Sequence, residues 1–309
     1  MSRSKGKDHH DWAKPTTQAA KAMRVVDQAG LVKSVGTHRN YQACLAAFTA
    51  YIKEEKLACI DLRHSGKDES ISYLQSQAGD FSQKTLDMHR LAIQTYFRAR
   101  GELLPNERLE IIKSNVVTTL EHRAYTAEQV QLVCAAQRED YALSTQIAYA
   151  AGLRAHELLT IRRIEEKAPD VRHYADGSVK SLAEKFSGRE GVAYVVTGKG
   201  GLTREVRIPQ ELAEKLETRR LAAPERVRDR TVFYERVYDI PGGQKWSNSF
   251  SAASNRSLGW STGAHGLRHS YAQERLAELQ KHCTYEKALE VVSQEMGHFR
   301  PDITTIYLR

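Results

Sequence analysis

The chain has 309 residues, 46 Lys and Arg against 38 Asp and Glu, and a formal net charge of +8. That length exceeds one typical core and fits two domains, and its four scattered cysteines, Cys44, Cys59, Cys134 and Cys283, form neither a disulfide framework nor a metal-ligand spacing, as expected of reduced thiols in a cytoplasmic protein. No apolar run approaches the roughly 20 residues of a membrane span, Met1–Lys14 lacks the apolar region of a secretory signal, and the basic balance favours a polyanionic partner.

Residues 1–16 (MSRSKGKDHHDWAKPT) read as a flexible basic arm. Apolar stripes at helical spacing then predict helices near Ala19–Gln28, Thr37–Lys56, Ser70–Gln77 and Gln83–Arg100. The second is the clearest, with Tyr41, Cys44, Leu45, Phe48, Tyr51 and Ile52 on one face. Together they predict a compact helical bundle over 17–114. Lys33, Arg39, Lys53, Lys56, Lys84, Arg90, Arg98 and Arg100 fall on its polar faces, a surface suited to DNA or merely to solvent.

Residues 115–124 read as a linker, and a second domain spans 125–309. It opens on a capping box, Thr126 with Gln129. A largely apolar helix over Tyr141–Ala151 stops at Gly152, and a new helix is expected after Arg154, in AHELLTIRR. Two β-rich runs, Val192–Thr197 and Leu202–Ile208, are joined by Gly198-Lys199-Gly200-Gly201, a hairpin signal that sets Lys199 at the tip. Helices are predicted at Gln210–Leu221, Phe250–Leu258, His265–Gln280 and Tyr285–Met296, with a short one around Asp302–Leu308. The fold class is therefore mainly α with a small β-hairpin in the second domain.

Five boxes stand in order in that domain: Gly152-Leu-Arg154-Ala-His-Glu157-Leu, Lys199 in its turn, His265-Gly-Leu-Arg268, Met296-Gly297-His298, and Tyr307 nine residues later. Together they resemble the tyrosine recombinases, the phage-type integrases, with Met296 in place of the usual leucine. The resemblance covers about 125–309, and the helical first domain fits the family's core-binding domain in size and position. It implies a two-domain, C-shaped clamp on double-stranded DNA carrying a specific recombination site, a homotetramer on synapsed DNA, and accessory DNA-bending proteins as further partners.

The chemistry explains the residue types. A tyrosine hydroxyl, with a pKa near 10, must lose its proton as it attacks phosphorus, and His265 is the candidate acceptor. The phosphodiester gains negative charge in the five-coordinate transition state, which planar guanidiniums meet with rigid paired donors. The resemblance assigns that role to Arg154 and Arg268, a further hydrogen bond to His298, proton delivery to the leaving 5′-oxygen to Lys199, and the nucleophile to Tyr307. Glu157 is expected to hold Arg154 in place. Neither metal nor ATP is required, because arginines carry the charge and the phosphotyrosyl ester conserves the bond energy; His265 and His269 at i and i+4 lack the glutamate of a zinc-protease HExxH pattern.

Two other readings stay open at this level: a type IB topoisomerase that relaxes DNA alone, and a catalytically silent DNA-binding regulator on the same scaffold. Residues 165–191 look like an insertion, either contacting DNA or a partner or forming a solvated excursion. Only Leu308 and Arg309 follow Tyr307, where the family carries a segment that docks on a neighbouring protomer. Either the chain has been cut short or protomers couple by other means.

Overall fold

The computed structural model describes residues 13–55, 61–117, 121–173, 176–179, 182–198 and 200–308. Residues 1–12 of the expected arm, Lys56, Cys59 and Lys199 lie outside them. The chain divides into two compact units, Met1–Thr119 and Leu120–Arg309.

The described residues of the first unit form four α-helices, α1 (Pro15–Gln28), α2 (Val35–Glu54), α3 (Lys67–Ser76) and α4 (Gln83–Ala99), with a 3-10 turn over Leu62–His64. α1 starts earlier than its apolar stripe, because Pro15 at the first turn gives up no helical hydrogen bond. α2 starts two residues before Thr37, after Ser34. Cys44, Leu45, Phe48 and Ile52 of its predicted face are buried with Met23, Leu86, Ile93 and Phe97 in one core. Three of the basic residues expected on the polar faces act as internal braces. Arg90 meets Asp87 and Gln94, Arg98 donates to the Glu107 carbonyl at 2.6 Å, and Arg100 reaches the Leu62 and Ser65 carbonyls.

The second unit begins with α5 (Ala127–Ala135), whose Thr126–Gln129 capping box forms, and α6 (Glu139–Ala150). The predicted helix after Arg154 is instead one 3-10 turn, Glu157–Thr160, leading into a two-residue strand β1 (Arg162–Arg163). Tertiary contacts override propensity there: the Glu157 carboxylate accepts from the Arg154 backbone N–H, and the Thr160 hydroxyl exchanges hydrogen bonds with the Thr197 backbone. β1 pairs with β2 (Val192–Thr197), which pairs in antiparallel register with β3 (Thr203–Ile208) to complete a three-stranded sheet.

α7 (Gln210–Glu217) ends short of its predicted limit because the chain turns into a two-stranded ribbon, β4 (Arg220–Asp229) and β5 (Val232–Tyr238). Its pattern was masked in the sequence by Pro224 and by arginines where alternation would put apolar groups. α8 (Gly243–Leu258) starts seven residues before the predicted Phe250, and its buried Trp246 donates from Nε1 to the Thr145 hydroxyl at 3.1 Å. α9 (Gly266–Leu279), α10 (Tyr285–Glu295) and α11 (Pro301–Thr304) follow, and a 3-10 turn over Thr305–Tyr307 leads to Leu308, the last described residue.

Where described, the 165–191 insertion is largely solvated, with residues 165–168, 170–173 and 176–179 exposed, but it is not a free arm. Asp170 pairs with the edge of β3 through both its backbone N–H and its carboxylate. The Phe186 N–H donates to Glu295, and Arg189 grips Glu278 at 2.8 and 2.9 Å. It is fastened to α9 and α10 of its own unit. No described helix is long and apolar enough to cross a membrane.

Candidate active site

Gly152 ends α6 with φ +59°, and a Cβ there would lie 2.7 Å from the Tyr271 ring. Only glycine fits, and its carbonyl is thereby offered to two guanidiniums, Arg268 Nη1 and, at 3.3 Å, Arg204 Nη2. Two residues on, Arg154 reaches Glu157 Oε1 at 2.7 Å. Arg204 Nη2 meets Glu157 Oε2 at 2.9 Å, and Arg268 Nη1 lies 3.8 Å from the same oxygen. One wholly buried carboxylate thus serves three arginines. Burial by itself would raise its pKa, but Arg204, Arg268 and Arg154 outweigh that and hold it far below the usual carboxylate range.

Arg268, on the first turn of α9, is fully buried. It donates to the Gly152 and Met296 carbonyls and to His298, and its Nε has no partner. Burial, and then the neighbouring Arg154, lower its pKa to about 10, so it stays cationic at neutral pH. Its guanidinium carbon sits 5.5 Å from the centroid of the Tyr307 ring. That ring, itself 8% exposed, also lies 5.4 Å from His265, 4.9 Å from His269 and 5.1 Å from His298. In this arrangement Tyr307 covers Arg268.

His298 follows Gly297, whose φ of +73° turns the chain at the end of α10. A guanidinium N–H can only donate, so His298 Nε2 accepts from Arg268 Nη2 at 3.2 Å. Its proton then sits on Nδ1, 3.1 Å from the Thr304 hydroxyl. Burial first, and then Arg268, Arg154 and Arg204, lower its pKa to about 3. His265 is lowered by the same causes, desolvation and then Arg268, His269 and Arg154, but it stands open to solvent at the rim and the shift is smaller. Both imidazoles are neutral at pH 7.

Arg154, Glu157, His265, Arg268, His298 and Tyr307 therefore converge. Lys199 is outside the described residues, but Gly198 before it packs against this group, a Cβ there falling 3.1 Å from Glu157 Oε1 and 3.6 Å from Arg154 Nη1.

Two residues of the site have no role in the sequence pattern: Arg204 is not singled out there, and His269 is weighed only as a metal ligand beside His265. His269 packs on Tyr307, and its spacing of four from His265 was the available signal. Arg204 shares the inner face of β3 with Val206 and Ile208, so the signal was an arginine at an inward strand position. Among the described residues, no group of three or more His, Cys, Asp or Glu side chains could hold a metal ion.

No family model and no curated protein matches the chain. Solved structures do. The XerH site-specific recombinase in its post-cleavage complex with palindromic difH substrate matches over 94% of this chain and 81% of its own, at 17% identity and a TM-score of 0.58. A lambda integrase tetramer bound to a Holliday junction matches over 96% and 78%, at 13% identity and 0.57. The Tn1549 transposon integrase in complex with transposon right end DNA matches over 96% and 95%, at 12% identity and 0.54. These neighbours are tyrosine recombinases, and the chain has their fold.

Proposed function

We propose that this chain, built on the tyrosine-recombinase fold, is a site-specific DNA recombinase or integrase that breaks and rejoins strands through a 3′-phosphotyrosyl bond on Tyr307. The observation that carries the proposal is the packing of Arg268, His265, His269 and His298 around one tyrosine ring, all within 5.5 Å.

Tyr307 Oη forms a bond to phosphorus as the bond from phosphorus to the 5′-oxygen breaks. The phenolic proton passes to His265, whose neutral imidazole has a free lone pair for it, and Lys199 supplies the proton that the departing 5′-oxygen takes up. Arg154 and Arg268 balance the charge that grows on the non-bridging oxygens. Glu157 and Arg204 are positioning residues: they fix the two arginines before substrate arrives, so no reorganisation is needed at the moment of reaction. The products are a 3′-phosphotyrosine and a free 5′-hydroxyl, and attack by the 5′-hydroxyl of another strand reverses the step and yields a Holliday junction.

Because Arg268 is covered in the arrangement described, a phosphate reaches it only after the Tyr307 ring swings aside. An entering phosphate also cancels part of the positive field that depresses His265 and His298. His265 then becomes a better base, and His298 can turn a proton toward the phosphate oxygens.

By likeness to the lambda integrase assembly, four protomers would act on two double-stranded sites, with DNA-bending proteins as accessory partners, in the cytoplasm. The test uses nicked duplexes drawn from DNA flanking the encoding gene. The wild-type chain should leave a denaturant-resistant protein–DNA adduct, indifferent to a metal chelator, and Tyr307→Phe should leave none. An adduct undiminished in Tyr307→Phe overturns the assignment.

A further inference from the structure

The β4–β5 ribbon stands apart from the three-stranded sheet and, among the described residues, pairs with no third strand. Its register sets Arg226 opposite Glu235 and Arg228 opposite Phe233, and all four of these residues share one exposed face. The other face is anchored. Tyr238 is buried, the Asp229 carboxylate accepts the Gln244 backbone N–H at 2.8 Å, and the Arg162 guanidinium donates to the Glu235 carbonyl. The Tyr234 ring lies 6.2 Å from that of His156, two residues after Arg154, and the Gly243 N–H donates to the Ala155 carbonyl at 2.7 Å. The ribbon is thus fastened to the segment that carries Arg154 and Glu157.

Its outer face is unusual for a surface with only solvent to meet. Phe233 is 54% exposed, and the Arg226 guanidinium sits 4.1 Å over its ring, with that of Arg228 at 5.8 Å. Among the described residues neither arginine has an ion-pair partner, although Arg228 Nε donates to the Arg230 carbonyl at 2.7 Å and leaves only its terminal nitrogens for a ligand, whereas Arg236, on the opposite face, is paired with Glu225 and Asp239. A guanidinium stacked on an aromatic face is held flat with its N–H edge outward, which pre-organises it for a phosphate oxygen. Residues i and i+2 on a strand are about 6.5 Å apart, of the order of the spacing between successive phosphates along one DNA strand.

We infer that the exposed face of this ribbon is a second DNA-contact surface, in which Arg226 and Arg228, stacked on Phe233, grip consecutive phosphates of the duplex beside the cleavage pocket. The occupant is double-stranded DNA because two guanidiniums outweigh the one carboxylate of this face, Glu235, and the ribbon is fastened to the segment that carries Arg154 and Glu157. The inference rests on the recombinase reading, but its contacts are to backbone and need no particular sequence.

The test measures binding of a duplex of about 30 base pairs of arbitrary sequence to the full chain carrying Tyr307→Phe, over a series of salt concentrations. Each phosphate contact contributes about 0.9 to the slope of log affinity against log salt. Adding Arg226→Ala and Arg228→Ala should make the slope shallower by about two and weaken binding roughly tenfold to a hundredfold near 0.1 M salt. Phe233→Ala, which removes only the platform, should give part of that loss, with an unchanged melting temperature in every variant. The matched charge loss at exposed positions elsewhere, Lys215→Ala with Lys281→Ala, should leave the slope nearly intact.

An unaltered slope in the double-arginine variant, or an equal loss in the lysine control, overturns the ribbon surface while leaving the recombinase reading standing. An unaltered slope accompanied by lost binding to polyglutamate overturns it in favour of an acidic protein partner. No duplex binding by the parent chain overturns the recombinase reading and this inference with it.

Discussion

Glu157→Gln removes one charge from the centre of the pocket and almost no volume. The carboxylate lies 2.7 Å from Arg154, 2.9 Å from Arg204 and 3.8 Å from Arg268. With an effective dielectric near 20, each attraction is on the order of 4–6 kcal/mol before the cost of burying the charges. What remains when one member of a buried set is lost is about 3–5 kcal/mol, because the three arginines stay buried without their counter-charge. In a unit of this length 1 kcal/mol is worth about 2–4 °C, so the melting temperature should fall by about 6–20 °C in a calorimetric scan. Covalent adduct formation should fall as well, since Arg154 loses its brace.

The pH dependence adds a second reading. The folded-state pKa of Glu157 lies below its unfolded value of about 4.3. Its stabilisation is therefore complete above about pH 4.3 and lost as pH falls through the lower folded value. The wild-type chain should lose that contribution in acid, and Glu157→Gln should lack that part of the decline. A melting temperature within about 3 °C of wild type, with cleavage intact, would refute the claim that this carboxylate organises the arginines.

Gly297→Ala places a Cβ at a φ of +73° and 2.7 Å from Arg204 Cδ, so it should destabilise by about 1–3 kcal/mol in urea unfolding and reduce cleavage by displacing His298; equal stability and activity would count against the packing of α10's end on β3. His298 and His265 have folded-state pKa values below the unfolded 6.5. Their contribution to stability is complete above about pH 6.5 and declines as pH falls below it, because the unfolded chain binds protons first. Imidazole NMR signals of the DNA-free protein should still report neutral His298 at pH 5 and shift to higher pKa on binding a duplex that carries the scissile site; an ordinary titration near 6.5 in the free protein would contradict the buried, cationic setting.

The sequence carried the residues that converge on Tyr307 because each stands in a local pattern. A glycine that ends a helix, an arginine two residues later, a histidine and an arginine three apart on a helix start, and a tyrosine nine residues after a Gly-His pair are all local patterns. The helical faces of α2 and α4 were legible for the same reason, since amphipathic periodicity is local. What the sequence could not order is what depends on contact between distant segments. The 154–163 segment reads as helix by propensity, yet Thr160 bonds the Thr197 backbone and the turn tightens.

Arg204 reads as one of many strand arginines until β3 is packed beneath Gly297, where its side chain becomes the second clamp on Glu157. Burial of Arg268 and its cover by Tyr307 are likewise properties of three-dimensional neighbours, as are the depressed imidazoles they produce. The β4–β5 ribbon was hidden because its outward face alternates charges with one phenylalanine, and only docking of its inward face against α8 and the Glu157 turn distinguishes that pattern from a polar loop. Side-chain identity and local period are written along the chain; desolvation and field are sums over groups that only the folded backbone brings together.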